Sequence, residues 1–195
     1  METDTRARPA WQLRQAAILV GIFVALLWVL EIVDTVSGHR LDAYGVRPRT
    51  DEGLIGVVVA PTLHFGFDHL VGNTVPVAVL GFLTLVTGIA RGLLATAIIW
   101  VLGGLGVWLV GDTFSIHAGA SALVFGWIVY LGVRGFLNRS WSQVLLGVVV
   151  LVLYGGVLWG VLPGQPGVSW EGHLCGAIGG AVAARLLAVR RGRAR

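Results

Sequence analysis

The chain has 195 residues, of which 56% are hydrophobic and 12% charged, and its mean hydropathy of +0.83 is far above that of a water-soluble domain. These values exclude an ordinary soluble fold and describe one membrane domain, with room for about six helices of roughly 20 apolar residues each. Lysine is absent, so the net charge of +4 rests on arginines placed where a bilayer would put them, not on a nucleic-acid surface.

An Arg-bearing amino end (Arg6, Arg8, Arg14) with Trp11 as an interfacial anchor leads into a first span from about Ala17 to Val33. No good small-residue cleavage site follows this apolar run, which argues against a signal peptide. Residues 37–53 are polar and read as a loop with a short interfacial helix. Leu54 to Leu63 is apolar but too short to span, and it ends at a turn through His64 and Asp68.

A second span is expected from about His69 to Thr87, a third from Leu93 to Val110, a fourth from Gly119 to Leu137 and a fifth from Val144 to Leu162. The Pro163 to Gly167 turn precedes the last span, from His173 to about Val189. The layout is a cytoplasmic segment 1–16, a membrane domain 17–189 and a basic cytoplasmic tail 190–195. Arg6, Arg8, Arg14, Arg91, Arg134, Arg139, Arg185 and the four tail arginines fall on one side; Arg40, Arg47 and Arg49 fall on the other. By the positive-inside rule both termini are cytoplasmic, and the plasma membrane is the expected location.

The second, fourth and sixth spans then all begin at the external surface. His69 and Asn73 open the second, Ser121 the fourth and His173 the sixth, so three stretches of chain bring polar side chains to one depth. Polar groups at membrane depth are costly and mark a functional site by default. Taken singly, Ser121 reads as a serine bonded to its own i−4 carbonyl, and His173 as a histidine at the water interface. Small-residue stripes (Ala118, Ala122, Gly126 and Gly172, Gly176, Gly180) allow close helix approach, as a serine on one helix needs if a histidine on another is to reach its hydroxyl. His117, four residues before Ser121, reads as an external loop histidine or as one that tunes the protonation of the site. Cys175 has no disulfide partner and reads as a packing residue.

At these residues the chain resembles the rhomboid family of intramembrane serine proteases. His64-Phe-Gly-Phe-Asp-His69-Leu-Val-Gly-Asn73 is similar to the family's second-helix motif, Gly119-Ala-Ser121-Ala122 to its Gly-x-Ser-Gly, and His173-Leu-Cys-Gly176-Ala-Ile-Gly-Gly180 to its final His-x-x-Gly-x-x-x-Gly. The resemblance implies an all-α bundle of six transmembrane helices and a Ser121 nucleophile with His173 as general base. It further implies oxyanion donors from His69, Asn73 and the Ser121 N–H, and structural support from His64, Gly119, Phe125, Gly176 and Gly180. No metal or cofactor is implied; the partners are the lipid bilayer and transmembrane protein substrates. Ala122 departs from the motif, standing where its second glycine is usual, and the tryptophan-arginine feature common in the family's first loop is not evident.

The alternative within this resemblance is an inactive relative that binds transmembrane helices without cutting them. A small transporter would show intramembrane carboxylates or repeats, and Asp68 and Asp112 fall at helix ends instead. No His-Glu-x-x-His run supports a zinc protease, and Leu109-Val-Gly111-Asp112 lacks the first glycine of an aspartyl type. A site made only of His64, His69, His117 and His173 has no carboxylate or cysteine partner.

Overall fold

The computed structural model describes residues 9–189, so Arg6, Arg8 and the tail arginines from Arg190 onward lie outside the described residues. Regular structure within that range is helical, apart from one isolated pairing of Val46 with His117. In chain order the helices are α1 (Ala10–Val36), α2 (Gly53–Val59), α3 (Phe67–Leu85), α4 (Ile89–Val110), α5 (Ser121–Leu137), α6 (Trp141–Tyr154) and α7 (Trp170–Leu186). Short 3₁₀ turns add Leu41–Tyr44, Ala60–Thr62 and Gly155–Val161, the last continuing α6.

Four stretches are long and apolar enough to cross a bilayer: α1, α3, α4 and the run Trp141–Val161. Helices α5 and α7 fall where the fourth and sixth spans were expected but have 17 residues each. Each is therefore about 25 Å long, short of ~30 Å of hydrocarbon. Their position in the bundle explains the difference in sequence. Helix α5 is enclosed on every side, with Leu123 through Ile128 buried consecutively, and α7 is lined by Gly176, Gly179, Gly180, Ala183 and Ala184. A helix walled in by protein selects for small, interlocking residues, whereas α1 and α4 must satisfy lipid along much of their length.

Contact between α5 and α7 is the most extensive in the bundle, followed by α4 with α7. Glycine makes it possible: a Cβ on Gly176 would run into the Ala122 carbonyl, and one on Gly180 into the Gly126 carbonyl. Lipid tails are as apolar as the side chains, so dispersion between closely fitted backbones, not water exclusion, holds such helices together. Leu27, Leu70, Leu80, Ile99, Leu123, Ile128 and Leu131 complete the core around this crossing.

The first loop is an ordered structure packed on α4. Trp100 donates its indole N–H to the Val57 carbonyl at 3.0 Å, and Trp108 donates to Thr50 O at 2.8 Å. Val46 exchanges two backbone bonds with His117, of 2.8 and 2.9 Å, which ties the loop to the segment leading into Ser121. The short helix expected within residues 37–53 is the 3₁₀ turn Leu41–Tyr44, and the apolar stretch Leu54–Leu63 forms α2 and the turn Ala60–Thr62.

Candidate active site

Ser121 is the first residue of α5, so it has no helical carbonyl four residues back to bond and its own N–H has no intrahelical acceptor. Its Oγ instead lies 2.9 Å from His173 Nε2. The other ring nitrogen, Nδ1, is 2.9 Å from the Gly160 carbonyl oxygen. A carbonyl can only accept, so Nδ1 carries the hydrogen of the neutral ring and Nε2 presents a lone pair to the serine hydroxyl. The tautomer needed for a base at Nε2 thus follows from one backbone oxygen.

The imidazole is also fixed in plane. Phe125 stacks on it with ring centroids 4.0 Å apart and an interplanar angle of 9°. Gly160 covers both rings, since a Cβ there would stand 2.9 Å from Phe125 Cζ and 3.0 Å from His173 Nδ1. Gly176, one turn beyond His173, meets Ala122, the residue after the serine, so the close backbone approach of α5 and α7 sets the separation of the two side chains. The departure at Ala122 is accommodated without a clash: its methyl faces Gly103 of α4 at a distance that would leave even a Cβ there, at 3.6 Å, in ordinary van der Waals contact.

On the opposite wall, His69 sits over Gly119, whose φ of +123° is one that L side chains rarely adopt. A Cβ there would meet His69 Cε1 at 2.7 Å and Nε2 at 2.8 Å. The Phe65 N–H donates to His69 Nδ1 at 3.4 Å, which leaves the ring hydrogen on Nε2, the side facing Gly119. Asn73 is 6% exposed, and its amide nitrogen donates to the His69 carbonyl at 3.0 Å; an amide nitrogen has a second hydrogen to offer. His64 accepts the Ala120 N–H at its Nε2, at 3.4 Å, and packs edge-on to His69 with centroids 5.1 Å apart. The residues named from the sequence are therefore brought together: Ser121, His69, Asn73, Phe125 and His173 share the lining of one open cleft of about 890 Å³.

Three residues of the site carried no legible signal in the sequence. Gly160 contributes through its carbonyl, a group every residue has. Ser169 caps α7, accepting the Gly172 N–H at 3.2 Å, and its Oγ lies 2.6 Å from His117 Nδ1. Ser115 Oγ lies 2.6 Å from His117 Nε2 and donates to the Asp112 carbonyl at 2.6 Å. With its one hydrogen so used, Ser115 accepts from His117 Nε2–H, and His117 Nδ1 receives the Ser169 hydroxyl. His117 is thus a neutral bridge from the loop before Ser121 to the start of the helix bearing His173. Burial holds its pKa below the ordinary 6.5, against the opposing pull of Glu171 and Asp112. Cys175 packs against Gly106 of α4, as a small filler would.

The family described as the rhomboid domain matches residues 51–190. The chain belongs to the rhomboid family. An uncharacterized protein of Mycobacterium tuberculosis is 49% identical over 201 residues, spanning 99% of this chain and 83% of the relative. One from Mycobacterium leprae is 45% identical over 195 residues, spanning 95% and 76% respectively. A protein of Acanthamoeba polyphaga mimivirus named as a rhomboid is 26% identical over 147 residues, covering 73% of this chain and 81% of its own. No solved structure matches.

Proposed function

We propose that this rhomboid is an intramembrane serine endopeptidase that hydrolyses peptide bonds in or near transmembrane segments, with Ser121 as nucleophile and His173 as base. The observation that carries the reading is the 2.9 Å approach of Ser121 Oγ to a His173 Nε2 whose lone pair is exposed by the Gly160 bond. As Oγ attacks the substrate carbonyl, its proton passes to Nε2, and the imidazolium so formed keeps its Nδ1–H on Gly160 O. The oxyanion develops beside the Ser121 N–H at the positive end of α5, with His69 Nε2–H and the Asn73 amide as further donors. The proton on Nε2 then goes to the leaving amine, and a water activated by the same nitrogen releases the acyl group from Ser121.

Water reaches the serine through the open cleft, whose lining includes Asp68, Asp112, Ser115 and Gln165. Substrates are membrane helices that unwind near one end, since a carbonyl bonded within a helix is closed to attack. In this reading residues 17–189 lie in the plasma membrane. Arg134 and Arg185, at the ends of α5 and α7 remote from Ser121 and His173, support a cytoplasmic position for those ends. All six long helices cross in this reading, the short α5 and α7 shielded from lipid by their neighbours.

A fluorophosphonate, which reacts with activated serines, should label the wild type and fail to label Ser121→Ala. Reconstitution with a panel of single-span segments, read by mass spectrometry, should give cuts that vanish in Ser121→Ala and His173→Ala. A folded wild type that neither labels nor cuts overturns the peptidase reading in favour of a protein that holds membrane helices intact.

A further inference from the structure

The cleft around Ser121 is lined by acids and by no base stronger than histidine. Asp68, Asp112 and Glu171 contribute to its wall and no arginine does, and the chain has no lysine. Arg49 of the first loop donates to the Leu109 carbonyl at 3.0 Å and to the hydroxyl of Thr113, next to Asp112 in the chain, but lies outside the lining. Asp68 and Asp112 are exposed, and exposed acids at a membrane surface would by themselves carry nothing.

Glu171 differs. It is 8% exposed, sits in the first turn of α7 two residues before His173, and lines the same cleft. Among the described residues it has no hydrogen-bond or ion-pair partner, and its oxygens are not sealed into the bundle but keep access to the cleft. The dipole of α7 favours an acid in this turn, but a carboxylate standing in open water would serve the dipole as well. Buried carboxylates are otherwise paired or hydrogen-bonded, so this one lacks a donor that only the contents of the cleft can supply. Among the described residues the three acids of the cleft do not bring three ligand atoms within 4.8 Å of one another, an arrangement that does not suit a shared metal ion.

We infer that Glu171 forms a subsite for a cationic side chain, arginine or lysine, which the substrate carries within a few residues of the bond that Ser121 attacks. The inference rests on the peptidase reading and names the substrate class. A guanidinium suits the carboxylate best, because its planar fork can give two parallel hydrogen bonds where an ammonium acts as a point charge. Asp68 and Asp112, at exposed positions of the same wall, add attraction as a basic segment arrives. The selectivity is sharp in a membrane, since basic residues gather at the cytoplasmic ends of membrane helices. A helix that bears one at the end that unwinds beside Ser121 belongs to a minority.

The test uses the reconstituted full-length protein and a single-span segment whose cut has been mapped, remade with Arg, Gln or Glu at each position flanking the cut. At one or more positions kcat/KM should favour Arg over Glu by about tenfold or more, and added salt should shrink that ratio. Glu171→Gln should bring the ratio close to one, while Glu171→Asp, which keeps the charge, should retain a preference in the same direction. Each ratio is taken within one preparation, so partial loss of folded protein cancels. Equal rates for Arg, Gln and Glu at every position in the wild type overturn the subsite without recourse to a variant, and so does a preference that survives in Glu171→Gln. Cleavage without charge preference leaves the peptidase reading standing. If no segment is cut, that reading fails instead, and the affinity of Ser121→Ala for the same segments, by fluorescence anisotropy, still decides the subsite: tighter binding of the Arg form supports it and equal binding overturns it.

Discussion

The α5–α7 crossing and the α6 edge are built on opposite principles although both flank the same histidine. At the crossing, glycines let backbones touch and every neighbour of Gly176 and Gly180 is main chain. Along α6 and its 3₁₀ extension only Gly147 and Val150 are buried, while Val152 is 77% exposed and Trp159 71% exposed. Gly155 and Gly156 have no atom within 4 Å of where a side chain would begin. Close steric fit holds Ser121 and His173 at a fixed separation, and the thinly packed flank is the side by which, under the proposed function, a substrate helix approaches.

The largest effect expected from breaking this contrast is chemical. Ser121→Ala or His173→Ala should lower kcat by about a thousandfold or more, with melting temperatures near that of the wild type. Next comes the crossing itself: Gly180→Val or Gly176→Val must displace a carbonyl and should destabilise the bundle by ~1–3 kcal/mol or more. Gly155→Ala and Gly156→Ala should stay within about 0.5 kcal/mol. Equal losses at the two places, in steric-trap or denaturant measurements, would erase the distinction.

Asn73→Ala and His69→Ala should reduce kcat by roughly 10²–10³ each with less change in KM, the signature of donors used in the transition state. The smallest effect concerns His117, whose folded pKa lies below its ordinary 6.5. In the window between those values the unfolded chain binds the proton and the folded chain does not, so stability falls as pH drops from 7 through 6.5 toward the depressed value. Comparing melting curves across that window, His117→Gln should lack this component of the loss. A profile parallel to that of the wild type would mean that His117 does not titrate in this way.

The sequence made much of this legible because its signals were local. Apolar length marked α1, α3 and α4, and the His64-His69-Asn73 spacing lies on one turn and helix, where distance in sequence is distance in space. The short α5 and α7 were placed by their motif residues more than by hydropathy, since glycine-rich central helices lose apolarity as they gain packing. What stayed hidden was long-range. The Gly160 carbonyl, the Ser169 cap and the His117 bridge each join segments whose meeting no residue type announces.

The acceptor for His173 Nδ1–H belongs to the thinly packed flank and not to the crossing. In the proposed reading, a guest helix that enters by this flank also takes hold of the oxygen that sets the tautomer of His173. Under the proposed function, admission of a substrate and readiness of the base share that one backbone atom.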